Sequence, residues 1–239
     1  MKYALVTGGT KGIGLAIVRM LLKEGYFVVL TYASDDAAME VCKKELSLIS
    51  HNYRIVKADQ GDKEQYARLL EIIKSYPSLS CIIFNAGITL RKDLTDIEDQ
   101  DWLNVMNVNV NTPVFMLRDF HDMITDNSRI IFIGSEMGIY PHGTSLAYGV
   151  SKSAVHALAR NLVKVYENTG TTVNAIAPGF VETEWQAAKA PEIKKNICNK
   201  TAVKRFATAD EIADAVKFCI NNAFVNGSVI EVNGGYCYK

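Results

Sequence analysis

The sequence predicts an α/β fold in which helices cover both faces of a doubly wound, parallel sheet of about seven strands. Short runs of consecutive apolar residues recur along the chain, and such unbroken runs are typical of strands buried on both faces of a parallel sheet. Between the runs, apolar residues repeat every three to four positions, as they do on amphipathic helices. Strand therefore alternates with helix, which favours right-handed βαβ crossovers. The apolar runs lie at residues 4–6, 27–30, 55–56, 81–84, 130–133, 173–177 and 229–232.

The predicted elements follow one another without a linker, an internal repeat or a low-complexity tract. A chain of 239 residues that is 49% hydrophobic can close one large core, so we expect a single domain over residues 1–239. One stretch departs from the alternation, because residues 180–207 follow a predicted strand and contain no clear strand of their own. Excursions of this length in compact domains are often lids, and we expect a flap over the substrate here.

Composition limits the kinds of partner. The 26 basic and 26 acidic residues cancel, and no basic block is interleaved with aromatic residues, so the footprint of a nucleic-acid-binding protein is missing. No apolar run approaches bilayer length, and the first residues lack a signal-peptide pattern. We expect a cytoplasmic protein that binds a small molecule, and neither nucleic acid nor membrane. Five cysteines without metal-like spacing indicate reduced thiols and no metal site: Cys42, Cys81, Cys198, Cys219 and Cys237.

A glycine-rich turn follows the first predicted strand and opens the first predicted helix. Residues 7–14 have the sequence TGGTKGIG. Glycines allow a tight turn and a close backbone approach to a pyrophosphate, while the helix N-terminus offers free N–H groups. Glycine-rich loops also serve merely to turn the chain, but a strand before and a helix after this one favour a nucleotide site. The candidate cofactor-binding residues of the turn are Gly8, Thr10, Lys11, Gly12, Ile13 and Gly14.

Tyr148 and Lys152 form a candidate catalytic pair. They lie four positions apart in a segment with helical spacing, so they project from one face, one turn apart. An ammonium beside a phenol favours the phenolate, and we expect Lys152 to lower the pKa of Tyr148 from about 10 toward the working pH. Most YxxxK pairs are solvated helix faces, but Ser135 precedes this one at the end of an apolar strand, where α/β sheets bind ligands. A Ser–His–Asp hydrolase is excluded because GSEMG lacks the GxSxG elbow.

These motifs together resemble the short-chain dehydrogenase/reductase family. The glycine-rich turn has the family's TGxxxGxG form, Ser135, Tyr148 and Lys152 have its catalytic spacing, and the resemblance extends along nearly the whole chain. It implies a Rossmann-type fold and an oxidoreductase that moves a hydride between NADP(H) and a carbonyl or an alcohol. By this resemblance, Ser135 binds the substrate oxygen, Tyr148 protonates it, and Lys152 also holds the nicotinamide ribose.

The family's remaining motifs are present as well. Asn109 matches the asparagine that supports a water relay to the lysine, although Asn107 and Asn111 lie nearby and a plain polar helix position is the alternative. Asp59 matches the adenine-binding aspartate, or it caps the helix that follows. Phe84 replaces a further asparagine of the family and leaves the NAG motif after it intact. The NAG and PGxxxT motifs imply cofactor contacts from Asn85, Ala86, Gly87, Pro178, Gly179, Val181 and Thr183.

The end of the second predicted strand distinguishes NAD from NADP. In the family, an acidic residue there grips the adenosine ribose of NAD, and its absence makes room for a 2′-phosphate. The position is Tyr32, with Ser34 two residues further on, and Lys11 could pair with a phosphate. We therefore expect NADP(H). The alternative is that Lys11 is a solvated loop lysine and that Asp35 or Asp36 takes the acidic role.

Within the family, the stretches NAGIT, APGFVET and VNGG are most similar to the 3-oxoacyl-[acyl-carrier-protein] reductases. Arg129 matches a basic residue beside the pocket that would meet the carrier protein, but residues 167–170 lack that branch's basic character. Glu136 either points to solvent or faces the pocket, where it would favour a polar or cationic substrate. His142 either touches substrate or is an exposed loop histidine, and Trp185 either lines the pocket or packs the flap onto the core.

The leading hypothesis is an NADPH-dependent reductase of a 3-oxoacyl thioester that acts in fatty acid biosynthesis. The alternative within the enzymes is an NADP-dependent dehydrogenase or reductase of another small alcohol or ketone, such as a sugar, a polyol or a xenobiotic carbonyl. A non-catalytic NADP-binding regulator is a third hypothesis, although a sensor needs no proton donor. The family mostly forms tetramers, and residues 109–123 and 154–165 are apolar enough for a homotetramer interface, as they would be for a buried core.

Overall fold

The computed structural model describes residues 1–141 and 145–236. Within these residues, seven parallel strands form one sheet with helices on both faces, which confirms the predicted fold class. The strands are β1 Lys2–Val6, β2 Tyr26–Tyr32, β3 Tyr53–Lys57, β4 Leu79–Phe84, β5 Ile124–Ile133, β6 Thr172–Pro178 and β7 Val229–Val232. The helices are α1 Gly12–Lys23, α2 Asp36–Ser47, α3 Lys63–Lys74, α4 Asp99–Met106, α5 Thr112–Asp119, α6 Leu146–Val165, α7 Pro191–Lys200 and α8 Ala209–Asn221, and a π-helical turn, Asn107–Asn111, joins α4 to α5.

The order of the strands determines where a ligand can bind. Along the sheet the order is β3-β2-β1-β4-β5-β6-β7. The chain runs outward from β1 through β2 to β3, then returns to the other side of β1 and runs outward again. Open α/β sheets bind ligands in the crevice outside the carboxyl ends of the strands at this switch point. The crevice here lies between β1 and β4, at the carboxyl ends of these strands, where the glycine-rich turn begins.

Side chains along each strand alternate between two hydrophobic cores. In β1, Ala4 and Val6 face the core made with α1, α2 and α8, whereas Leu5 faces the core made with α3, α5 and α6. All three side chains are fully buried. Because both faces of the sheet are covered, its strands appear in the sequence as unbroken apolar runs, and each predicted run falls inside one observed strand.

Polar caps set the start of two helices. The Asp62 carboxylate accepts hydrogen bonds from the backbone N–H groups of Glu64 and Gln65 at 2.9 and 3.1 Å, so it caps α3. Thr208 and Glu211 form a capping box at the start of α8. These local contacts satisfy N–H groups that the first helical turn leaves without partners.

Residues 180–207 form an excursion between β6 and α8. It contains a 3₁₀ turn at Glu184–Gln186 and helix α7, and within this range the only strand-like pairing is a single bridge between Val181 and Ala207. Backbone hydrogen bonds of 2.8 and 2.9 Å flank the bridge. The two ends of the excursion are therefore held together beside the carboxyl end of β6.

The thiols lie apart from one another. Cys42, Cys81 and Cys219 are buried and free, Cys198 is half-buried and free, and Cys237 lies outside the described residues. In residues 1–141 and 145–236, no group of three or more His, Cys, Asp or Glu side chains is placed to hold a metal ion. Among the helices of the same ranges, none combines the length and the apolar character needed to cross a bilayer.

Candidate active site

The glycine-rich turn has a backbone conformation and close approaches that only glycine allows. Gly8 and Gly12 have φ angles of +63° and +55°, in the left-handed region that favours glycine. A Cβ atom on Gly14 would lie 2.1 Å from the carbonyl oxygen of Gly8. The first turn of α1 has neither a side-chain cap nor an acidic residue, so its N–H groups are available to an anion. Thr10 is buried within the turn, and Ile13 is half-buried against the core.

Side-chain hydrogen bonds fasten the NAG segment to this turn. Thr7 Oγ1 accepts from the backbone N–H groups of Asn85 and Ala86, each at 3.0 Å. Asn85 Nδ2 donates to the carbonyl oxygens of Thr7 and Gly8 at 3.0 and 2.8 Å. The Asn85 amide therefore shapes the backbone of the crevice. Phe84, in place of the family's further asparagine, is buried in the core below the segment.

Charged residues from three segments meet at the end of β2 and form two ion pairs. Lys11 Nζ lies 2.7 Å from Asp35 Oδ2, and the hydroxyl of Tyr32 donates to Asp36 Oδ1 at 2.9 Å. The hydrogen bond to Asp35 raises the pKa of Lys11, so its ammonium remains charged. Lys11 is thus an exposed loop lysine that forms an ion pair with Asp35. Ser34 is exposed beside these groups.

Asp59 follows β3, at the carboxyl ends of the strands, where the glycine-rich turn also lies. Its Oδ1 accepts from the backbone N–H of Gly61 at 2.8 Å, and its own N–H donates to Gln65 Oε1 at 3.0 Å. The alternative assignment of Asp59 as the cap of α3 is wrong, because Asp62 caps that helix. The half-buried Asp59 carboxylate thus lies beyond the carboxyl end of β3 and is not the N-cap of α3.

Helix α6 brings Tyr148 and Lys152 to Ser135, which lies just beyond the carboxyl end of β5. Ser135 is only 8% exposed, and Lys152 is buried. Lys152 Nζ lies 5.5 Å from the centroid of the Tyr148 ring and donates to the Ile133 carbonyl at 2.7 Å. The Trp185 ring, from the 180–207 excursion, packs on Tyr148 with the ring centroids 6.4 Å apart. The structure thus brings the three predicted catalytic side chains together.

Burial controls the protonation of this pair. It raises the pKa of Tyr148, and a hydrogen bond with Ser135 acts in the opposite direction. Burial also lowers the pKa of Lys152 to about 8. The expected lowering of the Tyr148 pKa toward the working pH is not found here, because desolvation is the largest influence on this pKa and acts in the opposite direction. Tyr148 is therefore a protonated phenol.

Asn109 lies buried on the π-helical turn and ties three segments together. Its Oδ1 accepts from the Ile88 N–H at 2.8 Å, and its Nδ2 donates to the Ile88 carbonyl and to Ser151 Oγ, both at 2.9 Å. A Cβ on Gly87 would lie 3.2 Å from Asn109 Oδ1, so the NAG segment passes close to this amide. The other two asparagines of the turn bond to each other at the surface. Asn109 is thus the one of the three that reaches the site.

The PGxxxT segment runs from β6 to the glycine-rich turn. Pro178 and Val181 are buried, and a Cβ on Gly179 would lie 2.9 Å from the backbone of the segment after β7. The Thr183 methyl carbon lies 3.2 Å from the position of a Cβ on Gly12. This contact places the predicted carboxamide-binding segment against the predicted pyrophosphate-binding turn.

Three polar residues near the site differ from expectation. Glu136 is buried, with Oε2 3.0 Å from the position of a Cβ on Gly179, so the idea that it points to solvent is wrong. His156 and Ser151 were not predicted as site residues. His156 Nε2 accepts from the Ser135 N–H at 3.4 Å, and Ser151 Oγ donates to the Tyr148 carbonyl at 2.7 Å. The signal for both was their helical spacing from the catalytic pair.

Arg129 lies toward the N-terminal ends of the strands, whereas Ser135 lies beyond the carboxyl end of β5. It is six residues before Ser135 in the sequence, which corresponds to about 20 Å at the rise of a strand. The expectation that it stands beside the pocket is wrong. His142, the loop histidine considered for substrate contact, lies outside the described residues. The Arg129 guanidinium donates to backbone carbonyls near the start of the sheet, those of Asn127, Ser128, Gly170 and Ile220.

Comparisons with known proteins show what the chain is similar to. The family model described as short chain dehydrogenase matches residues 2–194. A 3-oxoacyl-[acyl-carrier-protein] reductase from Haemophilus influenzae is 33% identical over 242 residues, covering 98% of this chain and 97% of the relative. An acetoacetyl-CoA reductase from Allochromatium vinosum is 31% identical, covering 98% of each chain. A solved short chain dehydrogenase from Burkholderia cenocepacia, in complex with NADP, is 25% identical with a TM-score of 0.91, covering 98% of this chain and 97% of that one.

Proposed function

The chain belongs to the short-chain dehydrogenase family, and we propose that it is an NADPH-dependent reductase of a 3-oxoacyl thioester. The observation that carries the proposal is the meeting of Ser135, Tyr148 and Lys152 beside the glycine-rich turn, at the carboxyl end of β5. Two relatives aligned over nearly the whole chain are reductases whose names specify 3-oxoacyl thioesters, one on a carrier protein and one on coenzyme A. These names support the substrate class.

The residues at the switch point fit a dinucleotide. Gly8 and Gly12 form a concave turn that side chains would fill, and the uncapped start of α1 offers N–H groups to a pyrophosphate. The Asp59 carboxylate is suited to an amino group of adenine, and the Thr183 hydroxyl, beside the turn, is suited to the carboxamide of the nicotinamide. These groups offer partners to the pyrophosphate, the adenine and the carboxamide of the cofactor.

We propose that the cofactor is NADP(H), because the charged residues at the end of β2 suit its 2′-phosphate. Lys11 is the cation placed to bind a 2′-phosphate, and Tyr32 occupies the position of the family's ribose-binding acid. Asp35 competes with the phosphate for Lys11, so binding requires Lys11 to exchange one anion for another. The solved relative in complex with NADP supports this assignment.

Each catalytic side chain has one task in the proposed reduction. The bound cofactor supplies the hydride. The Ser135 hydroxyl binds the substrate oxygen, and the protonated Tyr148 donates its proton to that oxygen. Lys152 keeps a positive charge 5.5 Å from the Tyr148 ring, where it stabilises the phenolate left behind. Asn109 fixes the backbone at Ile88 and so holds the NAG segment against the site.

The test is the initial rate of NADPH oxidation, with NADH in parallel, on a 3-oxoacyl thioester and a panel of ketones and sugars. We expect fast turnover of the thioester with NADPH. Replacing Tyr148 with Phe removes the proton donor, so kcat should fall about 100-fold or more, while the Kd of NADPH stays unchanged. Turnover by Tyr148→Phe at the rate of the unmodified protein would contradict the mechanism.

Two observations favour a second candidate, the reduction of another small ketone or the oxidation of a small alcohol. Hydrogen bonds hold Arg129 toward the N-terminal ends of the strands, away from Ser135, and the carboxylate of Glu136 is buried next to Ser135. Neither feature favours a carrier protein or an acyl chain. In the same panel of substrates, an inert thioester beside a reactive sugar or ketone would select this candidate.

We also propose a homotetramer, a cytoplasmic location and a role in fatty acid biosynthesis. Large apolar side chains are exposed on α4, α5 and α6, as expected of helices that pack against another subunit. They are Leu103, Phe115, Leu146 and Val150. Free, buried thiols fit a reducing compartment. Light scattering on the purified protein measures the assembly directly, and a monomeric mass would refute the tetramer.

A further inference from the structure

We infer that His156 is a positioning residue that fixes the backbone of Ser135 and thereby the place of its hydroxyl. The inference rests on the proposed function, because it concerns how the substrate oxygen is held. His156 lies one helical turn after Lys152 and two turns after Tyr148, on the same face of α6. One helix thus supplies the proton donor, its lysine and a contact to the strand that carries the serine.

The backbone N–H of Ser135 needs an acceptor. Ser135 is 8% exposed, and a buried N–H without a partner is costly. Among the described residues, the acceptor is Nε2 of His156 at 3.4 Å. The imidazole is itself 4% exposed, so water does not compete for this contact. The contact is long for a hydrogen bond, which makes Ser135 sensitive to the exact position of the ring.

Two glycines allow the ring to reach this position. A Cβ on Gly134 would lie 2.2 Å from His156 Nε2, and a Cβ on Gly138 would lie 2.9 Å from His156 Cε1. The imidazole therefore fits between the residues that flank the Ser135 segment. Because Nε2 accepts from the Ser135 N–H, the proton of the neutral ring lies on Nδ1. The ring thus packs closely against both Gly134 and Gly138, at the two ends of the segment.

The imidazole is neutral and takes no part as an acid. Burial, followed by the charges of Lys152 and Arg160, lowers the pKa of His156 to about 4. A neutral ring keeps the lone pair that the Ser135 N–H requires, whereas a protonated ring would have none at Nε2. His156 therefore acts on the reaction only through Ser135.

The first experiment compares His156→Leu with His156→Gln. Leucine has no acceptor, whereas the glutamine amide oxygen can reach the position of Nε2. We expect kcat of His156→Leu to fall about tenfold or more, because a small displacement of a reacting group has a large effect on rate. The KM and the Kd of NADPH should change by less than about twofold, and His156→Gln should recover most of kcat. If His156→Leu does not fold, His156→Asn replaces it, because its shorter amide does not reach Ser135.

A Ser135→Ala background separates positioning from a general loss of structure. If His156 acts through Ser135, His156→Leu should reduce the remaining rate of Ser135→Ala by less than about twofold. Equal losses in both backgrounds, or equal kcat for the leucine and glutamine variants, would overturn the inference. Failure of the proposed function is a different result, in which Ser135→Ala turns over every carbonyl of the panel as fast as the unmodified protein.

A measurement without turnover completes the test. In the ¹⁵N spectrum of labelled histidine at neutral pH, the signal that disappears in His156→Gln identifies His156. We expect the neutral tautomer with the proton on Nδ1. A proton on Nε2 would remove the acceptor for Ser135 and overturn the inference, whatever the activity of the protein.

Discussion

Replacing Gly14 with alanine tests the shape of the glycine-rich turn. The new Cβ would lie 2.1 Å from the Gly8 carbonyl oxygen and 2.6 Å from Asn85 Nδ2. Cβ atoms in proteins essentially never lie closer than 3.0 Å to such a neighbouring atom. The first distance is 0.9 Å below this limit, so the turn must open. We expect NADPH binding to weaken because the opened turn no longer approaches a pyrophosphate.

The size of the effect on stability follows from three contributions. Overpacking costs about 1–3 kcal/mol, and loss of the hydrogen bond from Asn85 to Gly8 costs about 1 kcal/mol. Alanine gains about 1 kcal/mol over glycine inside a helix, which offsets part of the loss. We expect the free energy of unfolding to fall by about 1–3 kcal/mol in total.

Urea unfolding and NADPH fluorescence titration measure both effects. Gly25→Ala is the control for adding a methyl group beside α1, because nothing lies within 4 Å of the Gly25 Cβ position; its φ of +80° adds a backbone strain that Gly14 does not have. The control should lose about 1–2 kcal/mol of stability and keep its Kd for NADPH. For Gly14→Ala we expect a Kd about tenfold higher or more, or at least 1.4 kcal/mol. A Kd equal to that of the control would refute the assignment of this turn to the cofactor.

Three further predictions concern single side chains. Lys11→Ala should raise the Kd of NADPH up to about tenfold and leave NADH binding unchanged, with Lys23→Ala as the control; equal losses for both cofactors would argue against a phosphate contact. Asn109→Leu leaves buried backbone groups without partners and should lower the free energy of unfolding by about 2–4 kcal/mol in urea; an unchanged midpoint would contradict this. The pKa of His156 falls from 6.5 to about 4 on folding. Between pH 4 and pH 6.5, His156 is therefore protonated in the unfolded chain and neutral in the folded chain. Stability should therefore be full above pH 6.5 and decrease toward pH 4, by up to about 3 kcal/mol, and His156→Gln should lack this part of the decrease.

Local patterns in the sequence predicted the scaffold and the residues that the structure gathers at the candidate site. Apolar runs located the seven strands, because a strand buried on both faces must be apolar along its length. The glycine-rich turn was predictable because φ angles above zero and close approaches require glycine. Tyr148 and Lys152 were predictable because one helical turn separates them. Family motifs added Asn109, which the buried π-helical turn then distinguished from its neighbours.

The sequence by itself therefore determined the order of the elements and indicated the candidate reacting groups. Only the tertiary structure decided their surroundings: the burial that raises the pKa of Tyr148, the far position of Arg129, and the contact of His156 with Ser135. Spacing along one strand or helix is a local property, and the sequence shows it directly. Desolvation and long-range hydrogen bonds depend on residues that are distant in the chain, so they arise only when the sheet and its helices pack together.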